Sequence, residues 1–220
     1  MSPGFTLIEL LVVISIIMLL AALALPVLQR ATKVSRIAKC VSNQSQIGKA
    51  FRMYGNDNDG FLPTTPGGST FTMGGKETVY KPGGVRPLNK YMGKDNYEIF
   101  RCPSDGGRQS PVWGETPNTY VKTGSSYYYL TWDNMLNDPA NARAGKKFDD
   151  YADTANKTFL LGDWSAHAFG FEMEATGQDP YYVYRRWHDP RIKCNILFMD
   201  FHVSYIKMQW GESWPGFSWR

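Results

Sequence analysis

The sequence predicts an α+β fold in which one long N-terminal helix, first transmembrane and then stalk, packs on an antiparallel β-sheet head. Three observations carry that expectation. Phe5 to Leu28 is an apolar run of 24 residues with a single charge, at Glu9. A helical hydrophobic period continues past Pro26 as far as Tyr54. Of the 7 Trp, 13 Tyr and 12 Phe, only Phe5 lies before residue 50, so the aromatic residues that favour strands are confined to the later part of the chain. In 220 residues there is room for one ordinary domain with an appendage. The expected organisation is a short segment at 1–4, a transmembrane helix at 5–28, an amphipathic stalk helix at 29–58 and an aromatic-rich β head at 59–220.

At about 1.5 Å per residue the apolar run makes a helix roughly 36 Å long, enough to cross a hydrocarbon core of about 30 Å. A secretory signal peptide is the competing reading, with Ala22 and Ala24 in AALALP as the small residues of a cleavage site. Signal peptides, however, carry a shorter apolar region of about 7–15 residues behind a basic start, and MSPG contains no Lys or Arg. Glu9 is the oddity, since a carboxylate in hydrocarbon costs on the order of 3 kcal/mol. One reading makes it a helix-start carboxylate favoured by the positive end of the helix dipole. The other gives it a cation to neutralise: a cut before Phe5 would place a new amine one helical turn away, and a neighbouring subunit's amine could pair with Glu9 in an apolar bundle.

The stretch GFTLIELLVVISIIMLLAALALP resembles the class III signal of type IV prepilins and type II secretion pseudopilins. The resemblance implies cleavage by a prepilin peptidase after Gly4, N-methylation of Phe5, and assembly roles for Phe5, Glu9 and Pro26. A proline inside a helix removes a backbone hydrogen bond, which suits the local melting of this helix that the family undergoes on filament assembly. The implied partners are the peptidase, further copies of the chain, other pseudopilins, an inner-membrane assembly platform and membrane lipid. The implied location is the bacterial inner membrane, single-pass, with the head in the periplasm or on an extracellular filament. Arg30, Lys33, Arg36 and Lys39 follow the apolar run, so the positive-inside rule by itself would place the head in the cytoplasm. The leader MSPG lacks the basic residues usual in such leaders, as expected if the start codon lies upstream.

Beyond Pro26, Val34, Ile37, Val41, Ile47, Phe51 and Tyr54 recur at mostly three- and four-residue intervals, with Gln44 completing the stripe. Gly55 and the cluster NDNDG, Asn56 to Gly60, end the helix with residues that tolerate left-handed backbone. A calcium loop is the alternative for NDNDG, but an EF-hand would need ligands at Gly55 and Pro66. Residues 63–90 read as a long loop with at most a short strand. Strands are expected at Tyr127 to Trp132, Thr158 to Asp163, Tyr181 to Trp187, Asn195 to Asp200 and Val203 to Lys207, the last two joined through Phe201 and His202.

The head carries RCPSD (Arg101 to Asp105), SSYYYL (Ser125 to Leu130), FLLGDW (Phe159 to Trp164) and a histidine followed by NILFMDFHV. Together these resemble the pseudopilin-like group with an H-x9-DG processing-associated domain. Here eleven residues separate His188 from Asp200, and Phe201 stands where that group has glycine.

Chemistry in the head is less pronounced. Asp163, His167, His188, Asp200 and His202 are of divalent-metal ligand type, with His188, Asp200 and His202 the metal candidates, but nothing in the sequence draws them together. No cofactor is expected beyond a structural divalent cation. No G-x-S-x-G, HExxH, P-loop or Gly-rich dinucleotide pattern occurs, so no enzyme is expected. Lys plus Arg total 24 against 20 Asp plus Glu, too even a balance for a dedicated nucleic-acid binder. Cys102 and Cys194 both lie in the head, where a disulfide between them and two buried free thiols are the alternatives, whereas Cys40 lies on the stalk. The tyrosines at 127–129 and 181–184 are either core or a carbohydrate-binding platform, and Gln209 to Trp219 covers a sheet edge or offers a contact. Three functions are therefore weighed: a pseudopilus or pilus subunit, a membrane-anchored module binding polysaccharide or a secreted substrate, and a metal-dependent enzyme using His188.

Overall fold

The computed structural model describes residues 6–64, 73–77, 86–93, 95–106, 108–110, 114–116, 118–129, 146–163, 188 and 193–207, with 108–110 and 114–116 as backbone alone. The expected strand at Tyr181 to Trp187, the segment after Tyr129, His167, Gly4, Phe5 and the tryptophans of the C-terminus lie outside the described residues. The chain divides into two units, Met1–Arg36 and Ile37–Arg220.

Helix α1 spans Leu7–Asp57 and runs through Pro26. It ends as the turn formers require. Asp59 and Gly60 take positive φ of 51° and 79°, and the Gly60 N–H returns to the Gly55 carbonyl at 2.8 Å, satisfying an acceptor that the helix end would otherwise leave open. The Asn58 side chain donates to the Tyr54 carbonyl at 2.7 Å. NDNDG therefore serves as a helix stop, and Asp57 is engaged by Lys90 at 3.1 Å and by the Tyr91 hydroxyl at 3.0 Å.

In the second unit the helix packs on a sheet of order β3-β4-β5-β6, antiparallel throughout: β3 Tyr127–Tyr129, β4 Phe159–Asp163, β5 Lys193–Phe198 and β6 Val203–Lys207. A separate hairpin pairs β1 (Arg108–Ser110) with β2 (Gly114–Thr116). Strands β3 and β4 are buried on both faces, which is why YYY and FLLGD read as continuous runs and not as alternation. Ile47 and Phe51 of α1 are fully buried, and Phe51 stacks on Tyr129 with ring centroids 5.6 Å apart. Burial of side chains this size contributes about 1.5–3 kcal/mol each.

The β5–β6 connection differs from the two-residue hairpin expected. Strand β5 stops at Phe198, and residues 199–202 form the loop, with the Phe198 N–H donating to the His202 carbonyl at 2.9 Å and Phe201 at φ 69°. Phe201 does what Asp-Gly would usually do, at a steric cost that glycine would avoid. Its ring lies 5.4 Å from that of Phe148, so tertiary packing holds the turn.

Short elements frame the sheet. Helix α2, Thr119–Thr123, is capped by the Asn118 side chain, which accepts from the Val121 N–H at 3.0 Å, and is closed by Gly124 at φ 82°. A side chain at Gly124 would place Cβ 1.8 Å from the Lys76 carbonyl oxygen. Only glycine permits that approach of two backbones. Arg86 pins the same place, donating to the carbonyls of Gly74 and Thr123, each at 2.9 Å.

Candidate functional site: an apolar helix and a buried cysteine–histidine centre

The first unit is defined by what its helix leaves uncovered. From Leu7 to Leu28 the large apolar side chains range from 41% exposed at Ile14 to 88% at Leu7. The segment is long and apolar enough to cross a membrane. Its one hydroxyl, Ser15, donates to the Leu11 carbonyl at 2.7 Å, and Thr32, just past its end, donates to that of Leu28 at 2.8 Å, so neither side chain leaves a polar group unpaired in hydrocarbon. Glu9 sits at the helix start. Its Oε2 accepts from the Thr6 N–H at 2.8 Å and the Thr6 hydroxyl at 2.6 Å, while the Glu9 N–H donates back to Thr6 Oγ1 at 3.4 Å. This is a capping box, and T-L-I-E at residues 6–9 is its sequence signature.

In the second unit the motif residues converge. Cys102 of RCPSD is bonded to Cys40 of helix α1, with Cα atoms 5.3 Å apart. The candidate Cys102–Cys194 bridge is thus corrected: Cys194 is a buried free thiol on β5, and burial pushes its thiol pKa up, with the Asp163 charge adding to the effect. A bridge closing a loop of sequence separation 62 stabilises by about 4 kcal/mol on a chain-entropy basis. Asp105, three residues on, accepts from the N–H groups of Thr119 at 3.0 Å and Tyr120 at 2.8 Å and from the Ser126 hydroxyl at 2.7 Å. It thereby joins RCPSD to both α2 and SSYYYL.

The conjunction of His188 with Asp163, the aspartate of FLLGDW, lies beside the disulfide. His188 Nε2 is 3.0 Å from Asp163 Oδ2, both side chains having no exposed surface. The same nitrogen is 3.4 Å from Cys102 Sγ and 3.2 Å from Asn195 Nδ2. The Asn195 N–H donates to Asp163 Oδ2 at 3.0 Å, and Gln44 of α1 donates to the Asn195 carbonyl at 3.0 Å. Asn43 donates to the Arg101 carbonyl at 2.9 Å and to the Tyr127 hydroxyl at 3.4 Å. Tyr127, whose pKa is driven up by burial, is core, as are Tyr128 and Tyr129. None of these three offers an open ring to a ligand.

Of the three metal candidates, the structure joins two to each other and sets the third elsewhere. Asp200 and His202 meet in the β5–β6 loop, Oδ1 to Nδ1 at 2.5 Å, with side chains 37% and 41% exposed, and the His202 ring stacks on Phe198 at 4.2 Å. Among the described residues the group with metal-ligand spacing is Cys40, Cys102 and His188. Cys40 is the residue that sequence reasoning missed. Stepping back four residues from Gln44 along the helical stripe reaches Cys40 and not Val41, so the signal was present.

An exposed apolar helix joined to an α+β head defines the class: a protein with an N-terminal helix suited to single-pass membrane anchoring. Residues 2–25 match the family described as "Prokaryotic N-terminal methylation motif". Over this segment the chain thus carries a class III signal of the type found in type IV prepilins and pseudopilins. The match ends before the stalk and head, whose likeness to the H-x9-DG group it does not address. Neither a curated protein nor a solved structure matches the chain.

Proposed function

We propose that the chain is a structural subunit, cleaved after Gly4 by a prepilin peptidase, methylated on Phe5 and assembled through its N-terminal helix into a pseudopilus of the type II secretion kind. The observation that carries this reading is the exposure of every large apolar side chain between Leu7 and Leu28. In the precursor lipid covers them. When the subunit leaves the membrane the same surface must be buried against neighbouring helices, because apolar area returned to water costs about 25 cal/mol per Å². The Thr6–Glu9 box fixes the carboxylate at the helix start, where the terminal amine of a neighbouring subunit would compensate it and set the axial register. The chain then does mechanical work and no chemistry; its partners are further copies, other pseudopilins and the inner-membrane platform, with the head outside the cytoplasm. The type II alternative to a pilus is preferred on the head motifs.

N-terminal mass analysis of the protein from its native membrane tests the reading. Methylated Phe5 as the first residue is the expected result, together with the chain in filaments sheared from cells. An intact Met1, or a cut after Ala24, overturns it.

A further inference from the structure

We propose that the dithiol form of this chain holds a zinc ion between Cys40, Cys102, His188 and Asp163. The ligand atoms of Cys40, Cys102 and His188 lie within 4.8 Å of one another, all three residues are buried, and Asp163 Oδ2 is 3.0 Å from the imidazole nitrogen. Two thiolates, an imidazole and a carboxylate are the donor set that tetrahedral zinc takes. The two edges at His188 fit as well, while the sulfurs, bonded here, part to roughly 3.8 Å in the dithiol form. With Zn–S about 2.3 Å and Zn–N and Zn–O about 2.0 Å, a tetrahedron has S–N and N–O edges of roughly 3.5 and 3.3 Å. The observed separations are 3.4 Å from Cys102 Sγ to His188 Nε2 and 3.0 Å from His188 Nε2 to Asp163 Oδ2.

The hydrogen bonding around His188 points the same way. Its Nε2 is approached at once by a carboxylate oxygen, an amide nitrogen and a sulfur, yet a ring nitrogen carries either one proton or one lone pair. His188 Nδ1 and Asn195 Oδ1 find no hydrogen-bond partner among the described residues. A cation seated among Nε2, the carboxylate oxygen and the sulfurs answers the carboxylate and sulfur approaches together, which a single proton cannot.

The metal and the disulfide are then alternative states of one cysteine pair. Taking up the ion exchanges two thiol protons for Zn²⁺. In the oxidation, two electrons pass from the thiolates to a partner disulfide, which takes two protons and becomes a dithiol; the Cys40–Cys102 bond forms and the ion leaves. Zinc would thereby hold helix α1 on the head before oxidation makes the joint covalent.

The test uses the full-length chain in detergent micelles, opened with a phosphine reductant in metal-free buffer and then given Zn²⁺ or Co²⁺ alone. The expected result is a single ion per chain that survives gel filtration, with thiolate-to-cobalt charge-transfer bands in the Co²⁺ form. The oxidised chain takes none. Cys102→Ser should abolish uptake, His188→Gln should weaken it roughly tenfold or more, and Cys194→Ala should leave it unchanged. A reduced, folded chain that takes no metal, a cobalt spectrum without thiolate bands, or full uptake by Cys102→Ser overturns the proposal. If reduction unfolds the chain, refolding on added zinc supports it, since metal binding and folding are then coupled. A chain that stays unfolded at saturating zinc overturns it.

Discussion

Along helix α1 the residues from Leu7 to Leu28 leave leucine and isoleucine exposed, whereas those from Cys40 to Gly55 bury asparagine, glutamine and glycine. Backbone geometry is shared, so it does not account for the difference. The later stretch meets a head shaped to receive it: Asn43 and Gln44 each find a carbonyl to bond, and Gly48 lets Leu197 approach. The earlier stretch has a uniform apolar circumference, a surface that any hydrocarbon or any similar helix can cover. Burial is thus set by the partner available and not by residue type alone, and the two stretches should respond to opposite substitutions.

The largest effect is expected from charging the exposed stretch. Leu11→Arg with Leu19→Arg places two guanidinium groups in the span, at about 3 kcal/mol each on insertion scales. Most of the protein should leave the carbonate-resistant membrane fraction, while the urea midpoint of its head stays put. Next comes truncation of the buried stretch. Phe51→Ala removes a ring with no exposed surface that stacks on Tyr129 and should destabilise the head by about 3–5 kcal/mol. Ile17→Ala, at a side chain 58% exposed, should change it by less than about 0.5 kcal/mol. Equal losses in the two variants, measured by urea unfolding in the same detergent, would erase the distinction.

How much of this was legible follows from the range of each signal. Aromatic and β-branched side chains mark strands locally, so the pattern matches Val203–Lys207 at both ends and Phe159–Asp163 to within a residue. The helix stop at Gly55 and NDNDG was equally local. By contrast, the expected β5 lies two residues late at both ends, and its C-terminal end is set by a turn in which a phenylalanine takes positive φ, which nothing in the residue type announces. Shared membership of the head is the only cue that favours a Cys102–Cys194 pairing. The true partner of Cys102 lies on the stalk, 62 residues away in sequence, and pairing of that range is fixed by how helix and sheet dock. The convergence of His188, Asp163 and Asn195 is invisible for the same reason, although each of their motifs could be read separately. Helix α2 is too short for any period to register.

A smaller effect, again confined to the second unit, concerns pH. Burial holds the Cys194 thiol above its ordinary value. The native state therefore keeps this proton at pH values where the unfolded chain, with a thiol pKa of about 8.5, gives it up. The unfolded state binds fewer protons there, so stability must fall as pH rises. The contribution is fully present below about pH 8 and declines above it, by at most about 1.4 kcal/mol per pH unit. Cys194→Ala should flatten that slope between pH 8 and 10 in chemical denaturation. An unaltered slope would assign it to other groups.

The smallest effect isolates the close approach of helix to sheet. Gly48→Ala gains about 0.8–1 kcal/mol of helix propensity, and the new Cβ would sit 3.1 Å from Leu197 Cδ1 and 3.6 Å from Phe201 Cβ. The nearer atom is the end of a flexible side chain, which can yield a few tenths of an ångström, so gain and crowding should cancel to within about 0.5 kcal/mol. Gly55→Ala meets something stiffer: its Cβ would lie 2.9 and 3.0 Å from two carbons of the Phe148 ring. That ring is also packed against Phe201 and cannot move without disturbing the β5–β6 loop. Gly55→Ala should therefore be the less stable of the two by about 1 kcal/mol, read as the difference between their urea midpoints. If Gly48→Ala proves the worse, Leu197 is held more rigidly than the Phe148 ring, and the tight point of the helix–sheet joint lies at Leu197.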